Sequence, residues 1–119
     1  MTKNSLLKRG DIVAADFPFI EDPSKSKRRP ALILWTDKLN KLFVLAFMGT
    51  KQIEMKEEGH VIIKRKDPQF YMTGLVRDSK IKLTRLSTQI RENIKKIYGS
   101  VPKNTIEEVN KEIINLFTK

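Results

Sequence analysis

The 119 residues suit one domain spanning 1–119, and 39% hydrophobic with 8% aromatic residues is enough for a single modest core. Lys and Arg number 24 against 14 Asp and Glu, a net charge of +10, which favours a polyanionic partner such as nucleic acid over a merely lysine-rich surface. There is no cysteine, so disulfides, thiolate metal sites and a cysteine nucleophile are excluded; no run is long and apolar enough to span a bilayer, and Met1–Arg9 lacks the apolar core of a signal peptide, so a cytoplasmic protein is expected.

Gly10-Asp11 punctuates the start of a first strand, Ile12–Phe17, apolar apart from Asp16 and ended or held at an edge by Pro18. A loop over 20–28 follows, rich in Pro, Ser, Asp and Lys and long for a hairpin. Pro30 lacks an N–H and suits the first position of a strand, so Ala31–Trp35 reads as a buried second strand with Arg29 fixed at its rim. Residues 37–41 read as a turn, and a third strand, Leu42–Met48, runs into Gly49-Thr50-Lys51-Gln52. A polar loop over 54–59 leads to a short strand, His60–Ile63, and a basic turn over 64–68; Phe70–Val76 is a short helix or irregular. Ser79–Leu83 alternates polar with apolar and suggests a half-buried strand.

The pattern over 88–101 fits either a helix or a strand broken at Gly99. Thr105-Ile106-Glu107-Glu108 has the spacing of a capping box, and Ile106, Val109, Ile113, Leu116 and Phe117 share one helical face. That face packs on its own domain or on a dimer partner. Short strands followed by a terminal helix point to a mainly β fold, a small barrel with the C-terminal helix covering one side.

Little conventional catalytic chemistry is present. The single histidine, His60, has no carboxylate cluster of ligand spacing around it, no metal site is visible, and neither a phosphate-binding glycine loop nor a nucleophile elbow occurs. Three positions at strand ends remain: Asp16, Arg29 and Thr50. Simple counting along a meander places Asp16 and Arg29 at one rim and Thr50 near the other.

Two stretches carry a resemblance. Lys8-Arg9-Gly10-Asp11-Ile12-Val13 with Asp16-Phe17-Pro18-Phe19, then Lys27-Arg28-Arg29-Pro30-Ala31-Leu32-Ile33, resembles the opening of the MazF/PemK toxin family. Asp78-Ser79-Lys80-Ile81, Ile94-Lys95-Lys96-Ile97-Tyr98-Gly99-Ser100-Val101 and the terminal helix are similar to its closing part. The likeness covers about residues 8–117. It implies an SH3-like β-barrel (the MazF/PemK/CcdB type) that forms a homodimer, cuts single-stranded RNA without metal or other cofactor, and is paired with an acidic antitoxin protein. The family's key arginine precedes the proline and falls on Arg29; its key Thr/Ser lies in a Thr-X-Gln pattern and falls on Thr50. The first loop departs from the family, with Pro23-Ser24-Lys25-Ser26 where glycines are common, and Gly49 stands where members vary.

Under this reading Arg29 stabilises charge on the phosphorane and Thr50 donates a hydrogen bond to a phosphate oxygen. Asp16 is either a catalytic helper or a structural strand-end residue. Lys25, Lys27, Arg28, Lys51 and Gln52 hold RNA, and Phe19 stacks on a base. Arginine is a poor general base, so the proton-transfer group stays open. Two other classes are compatible with the residues: a barrel of the same kind that binds a protein target such as gyrase without catalysis, and a basic nucleic-acid-binding adaptor.

Overall fold

Ile12, Val13, Ala14, Ala15 and Phe17 form an almost continuous apolar run, and in the computed structural model this run is strand β1, Asp11–Pro18. The structure describes residues 6–18, 20–55 and 57–119. Strand β2 spans Ser26–Thr36, β3 Leu42–Gly49, β4 His60–Ile63, β5 Ser79–Ile90 and β6 Ile94–Ser100; helix α1, Lys103–Phe117, closes the order. The strands form one antiparallel sheet in the order β4-β5-β3-β2-β1-β6. Both β4 and β6 remain edges, so the expected barrel is an open sheet with a C-terminal helix.

Alternation along the strands sends side chains to two apolar clusters. Ile12, Leu32, Met48, Ile81 and Leu83 belong to one, where α1 contributes Val109, with Ile106, Ile113 and Leu116 packed against it. Val13, Phe17, Ile33, Leu45 and Phe47 belong to the other. Ile113 and Leu116 are therefore engaged by their own sheet, whereas Phe117 is 68% exposed. The capping box does not form. The helix starts at Lys103 from an extended Pro102, no side chain caps it, and Thr105 is buried inside the first turn.

Strand β2 departs from the sequence reading in two ways, both for reasons of pairing, and β5 extends to Ile90, beyond the expected end at Leu83. Pro30 is the fifth residue of β2, not the first. It pairs with Ala14 of β1, but pairing with β3 begins only at Ala31, so the β3 side of β2 is an edge where the N–H is missing. Trp35, expected in the core, is 50% exposed. The register steps from Ile33↔Leu45 to Trp35↔Val44, a bulge of one residue at Leu34 that shifts the alternation beyond it.

The ambiguous stretch after residue 88 is strand, not helix. β5 runs to Ile90, residues 91–93 make a single 3-10 turn, and β6 passes unbroken through Gly99. Phe70–Thr73 is a 3-10 turn that lies against β6. Its docking explains two glycines: a Cβ on Gly74, where φ is +70°, would stand 2.0 Å from the Tyr98 carbonyl oxygen, and one on Gly99 would stand 2.2 Å from that of Met72.

Candidate active site

In an antiparallel meander the start of the second strand and the end of the third share a rim. The structure accordingly corrects the placement of Thr50 at the opposite rim. Ala31 pairs with Phe47, and two residues further out on each strand stand Arg29 and Gly49, with Thr50 next. Arg29, Phe47, Gly49, Thr50, Lys51, Lys82 and Arg85 line one cavity of about 150 Å³.

Phe47 is the floor of this cavity. Its buried ring packs edge-on to Phe17 with centroids 5.5 Å apart. Phe17 is thus a core residue, unavailable for stacking on a base. Around the Phe47 ring stand three cations: Arg29 at 5.2 Å from the centroid, Lys82 at 5.3 Å and Arg85 at 4.4 Å. Lys82 and Arg85 are three apart on β5 yet reach the same ring because of a second bulge. The register jumps from Ala46↔Leu86 to Phe47↔Lys82, so residues 83–85 have no counterpart on β3. Arg85 also donates from Nη2 to the Pro18 carbonyl at 3.0 Å, tying β5 to the end of β1.

Among the described residues, none of Arg29, Lys82 and Arg85 forms an ion pair. Three cations left unneutralised around an apolar floor make a site for an anion with several acceptor oxygens. Burial, then the charges of Lys80, Arg85 and Arg29, pushes the Lys82 ammonium below its ordinary 10.5, with Glu57 acting in the opposite direction.

The loop after β3 is held from beneath. Lys80 is 3% exposed, and its Nζ donates to the carbonyl oxygens of Gln52 at 2.8 Å and Met55 at 2.9 Å. Gln52 adopts a left-handed φ of 54°, and Met55 N–H closes a turn onto its carbonyl at 3.0 Å. The buried ammonium thus fixes the segment that carries Thr50 and Lys51. His60 lies across from Lys82 in the β4–β5 register, is buried, and has no partner for Nδ1. Burial first, then the Lys80 and Lys82 charges, lowers its pKa from 6.5, with Glu57 opposing.

The other sequence candidates fall outside this cavity. Asp16 pairs with Arg28 in register, and Arg28 Nε meets Asp16 Oδ1 at 3.2 Å. Successive residues of a strand face opposite sides, so this pair stands on the other face of β2 from Arg29. Lys25 and Lys27 are exposed on the arm ahead of the cavity, and Lys25 lies 4.0 Å from Asp22. Phe19 lies outside the described residues. Lys80, Lys82 and Arg85 were not singled out from the sequence. The available signal was the alternation Lys80-Ile81-Lys82-Leu83, which places both lysines on the face opposite the core residues Ile81 and Leu83; the bulge that recruits Arg85 leaves no such mark.

A second cavity of about 350 Å³ adjoins the first across Thr50. It is lined by Pro30, Thr50, Gly74, Leu75, Val76, Arg77, Ser79 and Tyr98. Among the described residues no three His, Cys, Asp or Glu side chains come together, and no helix is long and apolar enough to cross a membrane.

Several solved structures share this fold. An endoribonuclease in complex with its cognate antitoxin from a mycobacterial species superposes with a TM-score of 0.71 at 15% identity, covering 94% of this chain and 95% of that one. The Mycobacterium tuberculosis toxin MazF-mt6 gives 0.66 at 18% identity, covering 92% and 97%. A further mycobacterial endoribonuclease gives 0.70 at 15% identity, covering 98% and 96%. Comparison with curated proteins gives no match. The family model for the PemK-like, MazF-like toxins of type II toxin–antitoxin systems matches residues 8–117, and the chain belongs to that family.

Proposed function

We propose that the protein is the toxin of a type II toxin–antitoxin pair, a single toxin domain over 1–119 that acts in the cytoplasm by cutting single-stranded RNA at the Phe47 cavity. The observation that carries this reading is the meeting of Arg29 and Thr50 in one cavity with two further unpaired cations. A scissile phosphate fits there. The Arg29 fork holds two of its oxygens in plane, and the Thr50 hydroxyl donates to one of them. The neighbouring 2′-oxygen attacks phosphorus, the 5′-oxygen departs, and Arg29 stabilises the charge that develops between. Lys25, Lys27, Lys51 and the Arg28 guanidinium hold the flanking backbone, while the cavity bounded by Leu75, Val76 and Tyr98 takes a base beside Thr50. Asp16 acts through Arg28 and has no part in the chemistry.

The same +10 charge suits an acidic antitoxin that orders on binding across this groove, with association slowed by salt. A homodimer brings two grooves together. The test is direct: purified protein with single-stranded RNA in EDTA should give fragments ending in a 2′,3′-cyclic phosphate and starting with a 5′-hydroxyl. Fragments with a 5′-phosphate, or intact RNA, would overturn the reading.

A further inference from the structure

Cleavage by the 2′-oxygen needs a proton for the departing 5′-oxygen. Arg29 is unsuited to give one, because guanidinium holds its protons above the working range. Thr50 offers only an alcohol. Two lysines line the cavity; Lys51 is exposed on the loop after β3, whereas Lys82 is partly buried and stands over the Phe47 floor, which places its ammonium for this step. It lies opposite Phe47 in the β3–β5 register, with Nζ over the ring at 5.3 Å, in the same cavity as Arg29 and Thr50. No carboxylate among the described residues pairs with it.

Resting on the ribonuclease reading above, we propose that Lys82 is the general acid, donating its ammonium proton to the 5′-oxygen as the phosphorus–oxygen bond breaks. The step balances. The 2′-hydroxyl loses its proton to solvent water and its oxygen bonds to phosphorus; the bond from phosphorus to the 5′-oxygen breaks and its electron pair takes the Lys82 proton; the resulting amine is reprotonated from water. The surroundings favour this direction of transfer. Burial first, then the charges of Lys80 and Arg85 on β5 and Arg29 on β2, weakens its hold on the proton, Glu57 before β4 opposes them, and His60 on β4 lies across from it. A phosphodiester entering the cavity brings negative charge next to Nζ, which keeps Lys82 protonated until the bond breaks. Arginine in its place would hold the phosphate but not release a proton.

The test uses two RNAs that differ in one atom. In one the scissile leaving group is the ordinary 5′-oxygen. In the other it is sulfur, which departs as a thiolate and needs no proton. On the oxygen substrate Lys82→Met and Lys82→Arg should each lower kcat by about 10²–10⁴-fold, the range of general acid catalysis. On the sulfur substrate each should lose less than about tenfold. Lys82→Arg keeps the charge and provides the readout if Lys82→Met folds poorly. Equal losses on both substrates would overturn the proposal while leaving the ribonuclease reading intact. Absence of cleavage by the wild-type protein on either substrate would overturn both.

Discussion

Lys80→Met removes a buried ammonium and leaves its stem. The change deletes two hydrogen bonds from a charged donor, at 2.8 and 2.9 Å, each worth about 1.5–3 kcal/mol when made. Two effects offset that loss. Burying an ammonium costs several kcal/mol that methionine does not incur, and Gln52 and Met55 are exposed, so water can reach their carbonyls. The net destabilisation is about 1–2 kcal/mol, or a fall in Tm of roughly 3–10 °C for a domain of this size. The loss is local, so hydrogen exchange should speed up first at the Met55 amide, which closes the turn onto Gln52. RNA cleavage should fall by about tenfold or more, through displacement of Thr50. Thermal unfolding, hydrogen exchange and single-turnover cleavage report these three effects. A Lys80→Met protein with wild-type Tm and wild-type cleavage would refute the idea that this side chain holds the loop.

Gly74→Ala should destabilise by at least about 3 kcal/mol, because the new methyl meets the Tyr98 carbonyl oxygen in a left-handed conformation; urea denaturation measures it. His60 gives stability a pH dependence of definite sign. Its folded pKa lies below 6.5, so the unfolded chain takes up a proton first, and stability is full above about pH 6.5 and falls as pH drops toward the folded value. His60→Gln should flatten that slope in unfolding titrations; an unchanged slope would assign it to other groups. Leu116→Asp puts a charge against the core and beside Gly59, and should lower Tm sharply; a folded, stable monomer in sedimentation would instead make this face an interface.

The sheet was legible where periodicity and burial coincide. Ile12–Phe17, Leu42–Met48 and His60–Ile63 are strands within a residue or so of where their patterns place them. The terminal helix was equally plain from Ile106, Val109, Ile113 and Leu116, although its start was not, since Pro102 and not Thr105 begins it. Bulges escaped the sequence: an extra residue at Leu34 and three between Lys82 and Leu86 shift alternation without any compositional sign. Pro30 misled because a strand centre and a half-paired strand edge read alike until the partner's length is known. The site was half legible. Arg29 and Thr50 stood out as strand-end positions and took their roles from the resemblance, while the rim they share follows from meander geometry; alternation along β5 marks Lys82, and Arg85 follows only from the bulge.

The proposed ribonuclease activity depends most on Arg29, held over Phe47 beside Thr50. The most direct measurement is the single-turnover rate of Arg29→Ala and Arg29→Lys on a single-stranded RNA in EDTA, with folding checked by circular dichroism. The rate should fall by about 10²–10³-fold for alanine, and substantially for lysine, which keeps the charge but not the planar fork. Wild-type cleavage by a folded Arg29→Ala protein would contradict that dependence.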